Sequence, residues 1–374
     1  MTSVTLQTPI TGKYEQPTGF NEEVITSVYE ATEADVEIAV DAARKAFEGA
    51  WKDVIPEERG RCLVKLADLL EEHSDTFAAI EPLDNGKPFK LAKGDLAFAF
   101  AASTLRYYGG WADKIEGKVI DTNRQSFNCS KRQPAGFPPG TINIISGFGK
   151  VAGAAISRHI GIEKVAFTGS TVVRREILQA TTKSNLKKVT LELGGKSPNI
   201  TDSGIFANAG QAYSAGSRIY VQEGIYDKFI EAFKQKALAI KVSKLYYNYI
   251  IGYIESGKAE GAKTEVGGER YGDKGYFIKP TIFSNVTPDI KIMKEEMFGP
   301  VCSIASVKNI KEAIKIGNDT SYGLTAAVHT TNLETAIEVS DGLRSGTVWD
   351  ASPDPLWGFQ GEWHRSWVGR GYAQ

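Results

Sequence analysis

"TINIISGFGKVAGAAISRHI", residues 141–160, decides the fold: a β-branched apolar run enters a glycine turn and leaves it as a helix-like stretch. A second unit of the same kind follows. "KVAFTGS" (164–170) reads as a strand into a turn, "TVVRREILQATT" (171–182) as a helix, and "KKVTLEL" (187–193) as another strand that ends at "GGKSP". Strands alternating with helices predict a parallel sheet in a doubly wound α/β domain. Gly147, Gly149 and Gly153 open the first helix. Free backbone N–H groups and the helix dipole can receive a pyrophosphate there, although tight strand–helix packing alone would ask for the same glycines. "FTGST" (167–171) offers a second such turn, with the Ser170 hydroxyl in reach of phosphate. Two turns in series favour a dinucleotide.

Upstream, residues 32–47 open with Thr32 and acids and then repeat Val36, Val40, Ala43 and Phe47 at helical spacing. A longer helix is expected over 57–81, with Leu63, Leu66, Leu70 and Phe77 on one face and Pro82 ending it. Short strand-like pieces fill 118–133, and "PAGFPPG" (134–140) makes a turn. Beyond Gly194 a different unit begins. Its helices are expected near 226–238, 249–262 and 311–317, and its strands near 218–221, 281–283, 302–307 and 326–329. At 374 residues the chain exceeds the roughly 250–300 at which single cores stop growing, so two domains are expected.

Bulk properties narrow the partner. The 45 acidic and 44 basic residues nearly cancel, which gives no electrostatic basis for nucleic acid or an anionic membrane. No segment holds the roughly 18 apolar residues of a membrane span, and the N-terminus lacks a signal-peptide pattern, so a cytoplasmic location and a small-molecule partner are expected. Cys62, Cys129 and Cys302 have neither disulfide nor metal spacing, so no metal site is expected. Cys302 falls in an apolar run where a thiol behaves as an inert small apolar group, and the four histidines share no motif.

Glu192 ends the strand "KKVTLEL" between Leu191 and Leu193. In a sheet core its carboxylate would be desolvated and suited to general-base work; on an open strand face it would simply meet water. The adjacent Glu295 and Glu296 in "EEMFGP" pose the same choice.

The stretches "VTLELGGKSPNI", "FANAGQAYSAGSRIYVQEGIYDKF" and "EEMFGPV", supported by "FTGSTVV", "ISGFGKVAG", "LRYYGGWADKIEG" and "KIGNDTSYGLTAAVHT", resemble the NAD(P)-dependent aldehyde dehydrogenase family in its fungal form, over about 13–349. The resemblance implies an α/β fold with a Rossmann-type cofactor domain, here incomplete, and an α/β catalytic domain. It implies a cofactor, NAD or NADP, and a small-molecule aldehyde as substrate. In the implied mechanism a cysteine thiolate adds to the aldehyde, hydride passes to the nicotinamide, and a glutamate activates the water that hydrolyses the thioester. By motif match Glu192 is that base, Glu296 holds the nicotinamide ribose with Phe298 beside it, and Gly149, Gly169 and Ser170 belong to the cofactor turns. The family's nucleophile, two residues after the glutamine of "NAGQ", falls on Tyr213. A phenol of pKa about 10 stays protonated at neutral pH, and its ring would fill the aldehyde's approach.

Other departures accompany the tyrosine. The family's segment carrying the oxyanion asparagine, the adenosine-ribose lysine and glutamate and two early cofactor strands is missing between Pro134 and Ala135. Shorter pieces are missing near 18–21, 200–202 and 242–249, and Arg174 stands where the family has a glycine beside the pyrophosphate. The codons available to "LWGFQGEWHRSWVGRG" (356–371) permit a string that reads FGGFKGSGIGRGLGEG one base later, so the tail is expected to be out of frame and the oligomerisation strand of the family lost. The resulting division is an internally truncated NAD(P)-binding domain over 1–194, with remnant oligomerisation strands near 124–134, a catalytic domain over 195–349 and an aberrant tail over 350–374. The expected activity is impaired or absent. A non-catalytic nucleotide- or partner-binding relative, or the product of a decayed gene or a misassigned coding frame, is the alternative.

Overall fold

A computed structural model describes residues 13–17, 24–85, 89, 92, 96–114, 119–123, 126–129, 138–199, 205–239 and 247–350. The N-terminal part runs β1 (Lys13–Pro17), β2 (Val24–Tyr29), α1 (Glu33–Glu48), α2 (Pro56–Glu72), α3 (Ser74–Asn85), α4 (Leu96–Gly110), β3 (Val119–Asn123) and β4 (Ser126–Cys129). β1–β2 and β3–β4 are antiparallel pairs. β4 falls within the 124–134 region expected to hold oligomerisation strands, and β3 ends just before it; 130–137 lies outside the described residues, as do 18–23, 200–204, 240–246 and the tail from 351.

Thr32 starts α1 by donating its N–H and its hydroxyl to the Asp35 carboxylate, at 2.8 and 2.7 Å. Val36 and Ala46 point inward. Phe47, expected on the buried face, is 52% exposed instead. The backbone at Gly140 lies so close to Ala42 and Ala46 that only small side chains fit on that side. The helix expected over 57–81 breaks at His73, and Pro82, expected as its stop, lies inside α3. Glu71 and Glu72 oppose the dipole at the end of α2, whereas Ser74 and Asp75 suit a new helix start. α2 packs on α4 through facing glycines: a Cβ on Gly60 would stand 2.4 Å from the Gly109 carbonyl oxygen.

The cofactor-type unit is only partly as read. Residues 141–146 form no strand among the described residues, because no neighbouring chain completes a ladder; Ser146 O instead accepts from Ala31 N–H at 2.7 Å, and Ile144 is 86% exposed. Gly149–Gly153 makes a wide π-type turn into α5 (Ala154–Arg158). β5 (Lys164–Gly169), α6 (Thr171–Thr182) and β6 (Lys188–Leu193) match the reading, with β5 and β6 parallel.

Beyond it come β7 (Pro198–Asn199), β8 (Arg218–Gln222), α7 (Tyr226–Leu238), α8 (Tyr247–Ala259), β9 (Lys263–Val266), β10 (Thr281–Ser284), α9 (Lys291–Lys294), β11 (Val301–Val307), α10 (Ile310–Gly317), β12 (Thr325–Val328), α11 (Leu333–Gly342) and β13 (Thr347–Asp350). β12 and β13 form a parallel pair, and five strands form one sheet in the order β7-β8-β11-β10-β9. Alternation along β11 feeds both faces of that sheet: Cys302 and Ile304 join Ile219 and Phe233 on one side, and Val301 and Ala305 join Ile250, Phe283 and Met293 on the other. Helices 249–262 and 311–317 were placed within three residues of their observed bounds, and the strand expected over 326–329 is shifted by one.

Candidate functional site

β5 and β6 end side by side. Thr168 pairs with Glu192 and Gly169 with Leu193, so the register sets Glu192 next to the Gly169–Ser170 turn at the carboxyl ends of two parallel strands. Ligands of open α/β sheets bind at such strand ends. Ser170 caps α6, its hydroxyl accepting from Val173 N–H at 3.4 Å. α5, which follows the Gly149 turn, packs against α6, so both glycine turns belong to one side of the unit.

Glu192 is exposed. Of the two readings of Glu192, the desolvated carboxylate is not the one seen: β6 pairs only with β5 among the described residues and leaves one edge open. The alternative reading, a strand-face glutamate in water, describes it.

From β6 the chain passes through Gly194 and Gly195 into β7, and the other site residues converge on these two glycines. A Cβ on Gly194 would lie 1.9 Å from Glu296 Oε2, and one on Gly195 would lie 2.5 Å from the Tyr213 carbonyl oxygen. Gly195 N–H donates to Glu296 Oε1 at 3.0 Å. Burial pushes the Glu296 carboxyl up, with the Gly195 N–H and the Lys196 ammonium pulling the other way. Phe298 follows with φ +50°, and a Cβ on Gly210 would meet the Gly299 carbonyl oxygen at 2.0 Å, so the segments around 210 and 299 touch backbone to backbone.

Tyr213 is 59% exposed. The backbone beside it is held, since Thr325 Oγ1 donates to Ser214 O at 3.4 Å and shares a 2.8 Å hydrogen bond with Ser197 Oγ. The cleft lined by Gly195, Gly210, Ala212, Glu296 and Phe298 encloses about 10 Å³, room for one water.

Two buried cations escaped the sequence reading. Lys196 is 1% exposed, its Nζ has no hydrogen-bond partner, and burial, helped by nearby Arg218, pulls its amine down to about 7. Arg218, equally buried, donates from Nε to Lys196 O at 2.9 Å and from Nη2 to Gly317 O at 3.1 Å. The signal available was position: Lys196 follows the glycine pair directly, and Arg218 opens an otherwise apolar strand. Cys302 is buried in β11, where burial raises its thiol well above the ordinary range, as expected of an inert core cysteine.

Paired parallel strands with glycine turns at their ends, and a half-buried carboxylate held over a glycine pair, define an α/β protein with its candidate site at the strand ends. The aldehyde dehydrogenase family model matches residues 9–137 and 133–371. An aldehyde dehydrogenase of Davidiella tassiana is 50% identical over 93% of this chain and 90% of its own length, in an alignment of 449 positions, and one of Alternaria alternata is 50% identical over 95% and 92%. The NAD+ complex of a Bacillus cereus aldehyde dehydrogenase superposes with a TM-score of 0.85 at 37% identity, covering 90% of this chain and 85% of that one. The chain belongs to the aldehyde dehydrogenase family.

Proposed function

We propose that this chain is an aldehyde dehydrogenase relative whose aldehyde oxidation with NAD(P)+ is impaired or absent. The observation that carries the reading is Tyr213, an exposed phenol at the position where the motif calls for a thiolate. An un-ionised phenol is a poor nucleophile toward a carbonyl, and loss of a nucleophile elsewhere costs roughly 10⁴–10⁶ in rate. Glu192 would still activate water, having access to solvent at the strand end, but with no acyl group to release.

The residues present fit part of a nicotinamide dinucleotide. The first glycine turn is open, with nothing within 4 Å of where a Gly149 Cβ would stand, whereas at Gly194 the Glu296 carboxylate already fills the place of a Cβ. Glu296 and Phe298 would hold the nicotinamide ribose, and Gly149, Gly169 and Ser170 the pyrophosphate; when bound, the cofactor would accept the hydride. The side chain of Arg174, one turn into α6, would crowd the pyrophosphate, so binding is weakened or lost.

Two observations support the missing segments. The family match restarts at 133–137, around the Pro134–Ala135 junction, and the alignment to the Davidiella relative is longer than the 374-residue chain. They favour the second reading, a non-catalytic nucleotide- or partner-binding relative or a decayed or misassigned gene. The out-of-frame tail over 350–374 stays part of this reading; from residue 351 it lies outside the described residues. Among the described residues no helix is long and apolar enough to cross a membrane.

Purified chain and Tyr213→Cys are compared for aldehyde-dependent NADH formation. The expected result is none from the parent; appreciable turnover by the parent would overturn the reading.

A further inference from the structure

Glu296 is gripped from a second side. Tyr249, on the first turn of α8, donates its hydroxyl to the Glu296 carbonyl oxygen at 3.2 Å. One turn further along, Tyr253 donates its hydroxyl to Glu295 Oε2 at 2.7 Å, and the two phenol oxygens lie 3.2 Å apart. The rings meet edge to face with centroids 5.0 Å apart, and Lys291 Nζ sits 4.9 Å from the Tyr253 centroid. Each phenol has one proton, so two protons serve three oxygen–oxygen contacts. The charge-assisted bond to Glu295 takes the Tyr253 proton. The Tyr249 proton is then divided between the Tyr253 oxygen and the Glu296 carbonyl.

We infer that Tyr249 is a positioning residue for Glu296: its hydroxyl fixes the peptide that follows Glu296 and so keeps the carboxylate over the Gly195 N–H, while Tyr253 competes for the same proton. The inference rests on reading Glu296 as the residue that meets the cofactor ribose only for its consequence in binding; the geometry stands without cofactor, and so does its test.

Amide hydrogen exchange at Gly195 reads the Glu296–Gly195 bond directly in full-length protein with isotope-labelled glycine, with no cofactor present. Tyr249→Phe keeps the ring and removes the hydroxyl. Exchange at Gly195 is expected to accelerate about fivefold, the ratio that loss of one neutral hydrogen bond produces. Tyr253→Phe frees the Tyr249 proton for Glu296 and is expected to leave exchange unchanged or slower, with melting midpoints of both variants within a degree or two of the parent. Unchanged exchange in Tyr249→Phe, or equal acceleration in both variants, would overturn the inference in favour of plain packing. Failure of this experiment says nothing about Tyr213, which the turnover comparison tests separately.

Discussion

Glu296 and Gly195 are 101 positions apart in sequence and joined by one hydrogen bond, Gly195 N–H to Glu296 Oε1 at 3.0 Å. The bond ties the end of the cofactor-type unit to the loop that precedes β11.

The glycine pair should be intolerant of any side chain. Gly195→Ala forces a methyl to within 2.5 Å of the Tyr213 carbonyl oxygen, so backbone must move; a loss of roughly 2–3 kcal/mol is expected. Gly149→Ala meets nothing within 4 Å and should change stability by less than about 0.5 kcal/mol. Denaturant titration of the two variants checks this, and equal midpoints would refute the close approach.

Lys196 gives the fold a pH signature. Its amine is held at about 7 when folded and returns to 10.5 when the chain unfolds. Between these values the unfolded chain binds more protons, so stability rises with pH across that window and is lowest, with respect to this group, below about pH 7. Replacing it by Met should raise stability by a few kcal/mol near pH 6 and by clearly less near pH 10. A gain independent of pH would show that the amine is not the cause.

Asp35 predicts a slope of the same sign in a lower pH window. The hydrogen bonds from the Thr32 backbone and hydroxyl hold its carboxyl below the usual carboxylate range. Its contribution is present above the unfolded value of 3.8 and is lost as pH falls below it. Asp35→Ala should cost about 1 kcal/mol at neutral pH, typical of a cap, and much less in acid, as read by urea unfolding at both pH values.

Thiol labelling separates the cysteines. Cys62 is exposed on α2 and should react with iodoacetamide in the native protein, whereas buried Cys302 should react only after denaturation. Native labelling of Cys302, read by peptide mass, would mean that β11 is not packed as described.

Helices such as α1, α6 and α7 were legible because each one supplies its own hydrogen bonds and shows its buried face every three or four residues. The Gly169–Ser170 turn, β5, β6 and the core strands β8 and β11 were legible too, their apolar runs being bounded by turns. The nucleophile position at Tyr213 needed only the family pattern. Residues 141–146 look as strand-like as β5 and yet form no strand, because a strand takes its hydrogen bonds from a neighbour. No local signal reports whether that neighbour is present.

What the sequence determined by itself is therefore local or inherited: the helices, the glycine turns and the family. What tertiary structure decided is every property that depends on surroundings. Among the described residues Glu192 is wet on a strand with an open edge, Lys196 is stripped of water by burial, and Glu296 meets Gly195 only because two distant segments fold together. Burial and charge act through space, and spacing along a chain does not encode which distant atoms will fill that space.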